Sequence, residues 1–161
     1  MAGSWESFFV AQVGASAALT GLVFVALSIN LERIIANGTL VGRAGEAITL
    51  LILPVVVGLV ALVPDLAIET TGAWILGVGL AGFVGLNRFV LRARAEAWQR
   101  SPREWLLRLV LVQVAIVPTV VGGAVLLGGS MSGFDWVAVG AAASLLVGIL
   151  DAWVLLVEIL R

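Results

Sequence analysis

The chain contains no cysteine, histidine, lysine or tyrosine, and only 12% of its 161 residues are charged. Each absence closes a class of chemistry. Disulfides are excluded, so cysteine usage says nothing about the redox compartment. Structural zinc takes cysteine, histidine and carboxylate ligands, and haem takes an axial histidine, cysteine, methionine or tyrosine. Of the haem ligands only Met1 and Met131 are present, and zinc would be left with carboxylates alone. No metal and no cofactor is expected. Serine–histidine catalysis, serine–lysine catalysis and lysine Schiff bases all need residues that are missing, so the chain is expected not to be an enzyme. A formal net charge of −1 predicts no nucleic-acid partner.

What the sequence has instead is apolar bulk: 61% hydrophobic residues and 19 glycines. Soluble domains are about 45–50% apolar with glycine included, and about a quarter charged. Too little polar surface is left here to cover a water-soluble globule. The composition predicts an all-α integral membrane protein, a single membrane domain over 1–161 whose first partner is the lipid bilayer.

A hydrocarbon core about 30 Å thick needs about 20 apolar residues in a helix. Five stretches qualify, roughly 8–30, 47–64, 72–91, 105–128 and 134–160. The second is short enough to raise the alternative of a re-entrant segment, but a full span is the reading adopted. The first has no basic residue before it, only Glu6, and is too long for a signal-peptide core. It is expected to be a retained span.

The nine positive charges are all arginine, and cytoplasmic loops collect such residues. Arg33 and Arg43 fall between spans one and two. Arg88, Arg92, Arg94, Arg100, Arg103 and Arg108 flank the turn between spans three and four, and Arg161 follows span five. The opposite segments carry Glu6, Asp65, Glu69 and Asp135 and no arginine. Five spans with the N-terminus outside and the C-terminus cytoplasmic put every arginine on one side. Trp5, Trp74 and Trp136 then fall at outer edges and Trp98 and Trp105 at the inner edge, as an aromatic belt requires; Trp153 alone lies inside a span. Ser101-Pro102-Arg103-Glu104 reads as a capping box opening the fourth helix. Residues 92–100 are expected to continue the third helix, with Glu96 and Arg100 paired one turn apart.

Gly77-Val78-Gly79-Leu80-Ala81-Gly82 matches the dinucleotide fingerprint G-x-G-x-x-G. That motif needs a strand before it and a helix after it, whereas this copy lies inside an apolar span. Helix packing is the physical reading: Gly77, Ala81 and Gly85 recur every fourth residue and permit close backbone approach. Ala11, Gly14, Ala18 and Gly21 form a similar seam in the first span, and Gly140, Ser144, Gly148 and Ala152 in the fifth. Such seams pack a bundle or join copies of it, and a homo-oligomer or larger membrane complex is expected. Pro54 and Pro118 sit mid-span, where proline frees a carbonyl and bends the helix. Packing kinks are the favoured reading over gating hinges; with Thr119 and Gly122-Gly123 beside it, Pro118 is the better hinge candidate.

Ionisable groups inside spans are the functional candidates. Asp151 lies about 13 Å inward of the last helix's end by the helix rise. Ser144, Asp151 and Glu158, spaced by seven, share one helix face. Gln113 lies at a depth similar to that of Asp151, and Arg88 and Arg108 at about that of Glu158. An ionised aspartate at that depth costs about 2.5–3.5 kcal/mol on insertion scales unless it is paired. The structural alternative pairs Glu158 with Arg88 or Arg108 and leaves Asp151 protonated or bonded to Gln113. Asn87 and Gln12 read as interhelical hydrogen-bonding residues.

The opening from Trp5 through Leu31, WESFFVAQVGASAALTGLVFVALSINL, and the stretch Gly42-Arg43-Ala44-Gly45-Glu46 resemble a family of small, mostly uncharacterised bacterial multi-span membrane proteins. Some members are labelled modulator of FtsH protease. The resemblance covers about a quarter of the chain, implies a bacterial inner-membrane protein, and supplies no catalytic residues. The leading expectation is a non-enzymatic, self-assembling membrane protein, accessory or regulatory to a larger complex. The alternative is a small oligomeric ion channel or proton-linked transporter using Asp151.

Overall fold

The structure, a computed structural model, describes residues 2–96 and 102–159. The described residues form six helices and no strand: α1 (Ala2–Ile29), α2 (Leu31–Ala36), α3 (Gly38–Ala61), α4 (Ile68–Glu96), α5 (Pro102–Leu127) and α6 (Gly133–Ile159). All but α2 are long and apolar enough to cross a membrane, with apolar windows at Trp5–Ile29, Leu40–Ala61, Ile68–Arg92, Trp105–Leu127 and Gly133–Glu158. They suggest a multi-pass membrane protein. Hydroxyls in these helices fold back one turn onto the backbone, Thr20 onto the Ser16 carbonyl at 2.7 Å and Thr49 onto that of Gly45 at 2.7 Å. Those two hydroxyls are thereby satisfied within their own helices.

One boundary differs clearly from the sequence expectation. The second long helix starts nine residues before Ala47, because Arg43 and Glu46, read as flanking charges, are built into it and paired inside the bundle. A short helix, α2, fills the link before it. Helix α4 does continue past Arg92, to Glu96. Trp98, Arg100, Ser101 and Arg161 lie outside the described residues, so the Glu96–Arg100 pair and the capping box cannot be placed. The α5–α6 connection is tight for a local reason. Gly129 takes a left-handed conformation (φ 81), and the amides of Gly129 and Ser130 bond the Leu126 and Val125 carbonyls, the pattern of a Schellman cap.

Helix α3 is the centre: half of its apolar window is buried, and it packs on α1, α4 and α6. Helices α4, α5 and α6 follow one another as antiparallel neighbours. Their close contact comes from glycine. A Cβ on Gly123 would sit 2.6 Å from the Leu76 amide nitrogen, and one on Gly122 would sit 2.7 Å from the Gly133 carbonyl oxygen. The Gly122-Gly123 pair beside Pro118 is therefore locked in helix contacts. The core between the helices holds Leu50, Leu53, Ile75, Leu86, Val112, Ile116, Leu126 and Val137. At the end bearing Glu6 and Asp135, Trp5 and Phe9 of α1 meet Phe134 of α6, with ring centroids 5.6 and 5.4 Å apart. The opposite end collects Arg33, Arg43, Arg88, Arg92, Arg103 and Arg108, since there α1 finishes, α3 begins, α4 finishes and α5 begins.

Candidate functional site

The polar residues of α6 meet α3 in register. Ser144, Asp151 and Glu158 run down one face of α6, and the antiparallel α3 offers Leu50, Glu46 and Arg43 in matching order. Ser144 donates to the Leu50 carbonyl at 2.6 Å. That carbonyl lost its helical donor because residue 54, four positions on, is proline. The Asp151 carboxyl lies in the electrostatic field of Glu46, Arg108 and Arg43. Arg43 pairs with Glu158 at 2.8 Å. From the third side, Arg108 of α5 pairs with Glu46 through its Nη2.

Glu46 is the most enclosed member, with 1% of its surface exposed. Its Oε2 takes the Arg108 guanidinium, while Oε1 is buried without a hydrogen-bond donor. Asp151 Oδ2 is in the same condition. Removing one member of such an enclosed ion pair costs about 3–5 kcal/mol, because its partner's charge is left buried. The arrangement can hold charge, or a proton, away from water. No group of three or more acidic residues among the described residues is disposed to hold a metal ion.

The pairings differ from those the sequence suggests. Glu158 is held by Arg43 rather than by Arg88 or Arg108. Gln113 donates to Asn87 Oδ1 at 2.9 Å and not to Asp151. Arg88 is exposed and stands apart from the cluster. Asp151, Glu158 and Arg108 are brought together, but by Glu46 and Arg43 of α3, which sequence reasoning had set outside the span. The signal was present: Arg43, Glu46 and Leu50 are spaced by three and four, one face of a helix. Gln12 donates to the Pro54 carbonyl at 2.8 Å, tying α1 to α3 at the proline.

The small-residue seams divide into covered and open ones. In α6, Gly140 lies against Thr119, and a Cβ on Gly148 would meet the Leu51 side chain at 2.9 Å. In α4 the packing glycines are Gly79, against Val120, and Gly82, against Leu53. The expected seam on α4 is open instead: a Cβ on Gly77 or Gly85 would meet nothing within 4 Å, and Ala81 is exposed. Glycines fill two faces of this helix, so spacing alone did not choose between them. On α1, a Cβ on Gly14 or Gly21 would also meet nothing within 4 Å, and Ala11 and Ala18 are exposed.

A groove of about 290 Å³ between α1, α2 and α3 is lined by Phe24, Leu27, Ile34, Ile35, Val41 and Ile48 among others, and is almost wholly apolar. Comparison of the whole chain with family models, curated proteins and solved structures gives no match.

Proposed function

We propose that this chain is a non-enzymatic multi-pass protein of the bacterial cytoplasmic membrane that assembles with itself and serves as an accessory or regulatory subunit of a membrane complex. The observation that carries the reading is the open face of α1. Only 17% of its apolar window is buried, the least of the five. That face presents Ala11, Gly14, Ala18 and Gly21, the small residues that let helix backbones approach in lipid. A helix with no role beyond meeting lipid needs no such stripe, since leucine serves there equally well. The resemblance of this same segment to bacterial multi-span proteins supports the bacterial inner membrane. Collection of arginine at one end of the bundle supports an N-terminus outside and a C-terminus in the cytoplasm.

The absence of cysteine makes the test clean. In membranes carrying an Ala18→Cys variant, oxidation should give a disulfide-linked dimer. Leu146→Cys, on an exposed position of α6, should stay monomeric under the same conditions. Equal cross-linking at the two positions, or none at Ala18→Cys and Gly14→Cys alike, would refute self-assembly through α1. A second reading, a small channel or proton-linked transporter, is supported by one feature: the ionisable cluster around Asp151 is enclosed at three-helix depth.

A further inference from the structure

Helix α4 turns outward a face that no other helix covers, with Trp74, Leu80, Val84 and Leu91 exposed along it. Arg88 and Arg92 stand at the end of that face, one turn apart and both exposed. Arg88 lies four residues, about 6 Å by the helix rise, inside the end of the apolar window at Arg92. Among the described residues neither guanidinium has a hydrogen-bond or ion-pair partner. Between Glu69 and Glu96 the helix carries no acid, and on the other helices Glu46 is taken by Arg108 and Glu158 by Arg43. An outward-facing guanidinium at that depth is costly unless an anion meets it. Beside the row Leu80, Val84 and Arg88 runs the row Gly77, Ala81 and Gly85, also spaced by four. A Cβ on Gly77 or Gly85 would meet nothing within 4 Å, so this second row is a shallow apolar furrow leading to Arg88.

We propose that this face of α4 binds an anionic phospholipid from the leaflet at the arginine end, with its phosphate between Arg88 and Arg92 and one acyl chain along the furrow. The order of chemistry on the face matches that of the lipid: charge at the membrane edge, then an apolar track toward the bilayer centre. Guanidinium groups bind phosphate oxygens in pairs. A zwitterionic lipid would bring its own ammonium group back to two unpaired arginines, whereas an anionic headgroup brings no cation. A second copy of the chain is a poorer occupant. Contact about a two-fold axis along the membrane normal would set Arg88 and Arg92 against the same arginines, with no acid on the face to separate them. The inference is independent of assembly through α1 and of the cluster around Asp151, and requires only that α4 spans the bilayer.

Native mass spectrometry of the full chain in neutral detergent tests it, with dioleoylphosphatidylglycerol and dioleoylphosphatidylcholine added in equal amounts. The parent should retain phosphatidylglycerol on the order of tenfold more strongly. Arg88→Gln with Arg92→Gln should remove that preference at unchanged helical content. Arg33→Gln with Arg103→Gln, also exposed arginines of that end, should keep it. Gly85→Leu puts bulk into the furrow and should weaken retention of phosphatidylglycerol with both arginines in place. A parent without the preference overturns the proposal, and this arm needs no variant to fold. So does a preference that survives Arg88→Gln with Arg92→Gln, one lost equally in both arginine pairs, or unchanged retention in Gly85→Leu. Release of the lipid by inorganic phosphate at constant ionic strength would assign the arginines to a free anion. A disulfide-linked dimer of Ala81→Cys in oxidised membranes would assign the furrow to a second copy, and either result overturns the lipid site.

Discussion

At Pro54 the ring removes the amide that would have bonded the Leu50 carbonyl, and the Ser144 hydroxyl on a neighbouring helix replaces it. The proline and the contact between α3 and α6 are one feature. Ser144→Ala leaves that buried carbonyl without a donor, and a loss of about 1–3 kcal/mol is expected. In a Pro54→Ala background the residue-54 amide can close the helical bond, and the same substitution should cost well under half as much. Thermal unfolding of the four proteins measures the coupling; identical costs in both backgrounds would contradict this account of the Leu50 carbonyl. The pairing was half legible in sequence. Ser144 and Pro54 both stood out, and nothing in their spacing tied one to the other, because the link runs across 94 positions. Glu46 was hidden for a different reason. A charge beside a glycine-rich stretch reads as the edge of a span, and only the facing Arg108 reveals why it is tolerated inside a helix.

Among the helices, α3 and α1 mark the extremes, the first wrapped by neighbours and the second lying mostly open. Apolar length identified all the long helices from sequence, because length and the absence of charge are properties of a segment by itself. Which face of each helix packs is a property of pairs. The α6 stripe is covered, the α4 stripe is open, and Gly79 and Gly82 do the packing that Gly77, Ala81 and Gly85 were expected to do. Two leucine substitutions separate the cases. Gly148→Leu drives side-chain bulk into Leu50 and Leu51, and overpacking of this kind costs about 1–3 kcal/mol; its melting temperature should fall even in dispersed single chains. A Cβ at Gly14 meets nothing within 4 Å in the chain, and Gly14→Leu should leave that temperature unchanged while weakening association between copies. Equal destabilisation of single chains by both would show that α1 is covered by its own chain.

For the molecule as a whole, the distribution of charge matters more than its small total. Described arginines gather at the end where α3 and α5 begin, while Glu6, Asp65, Glu69 and Asp135 occupy the other. Two of these arginines are neutralised inside the bundle, where Arg43 meets Glu158 and Arg108 meets Glu46. Assembly through α1 presupposes that the chain crosses the membrane five times in one orientation. Paired reporter fusions test that premise most directly, one enzyme active only in the cytoplasm and one active only outside. Fused after Arg161, the cytoplasmic reporter should be active and the other silent; inserted in the loop at residues 65–71, the activities should reverse. The same compartment at both sites, or the opposite assignment at each, would contradict the five-span orientation on which the rest of the account stands.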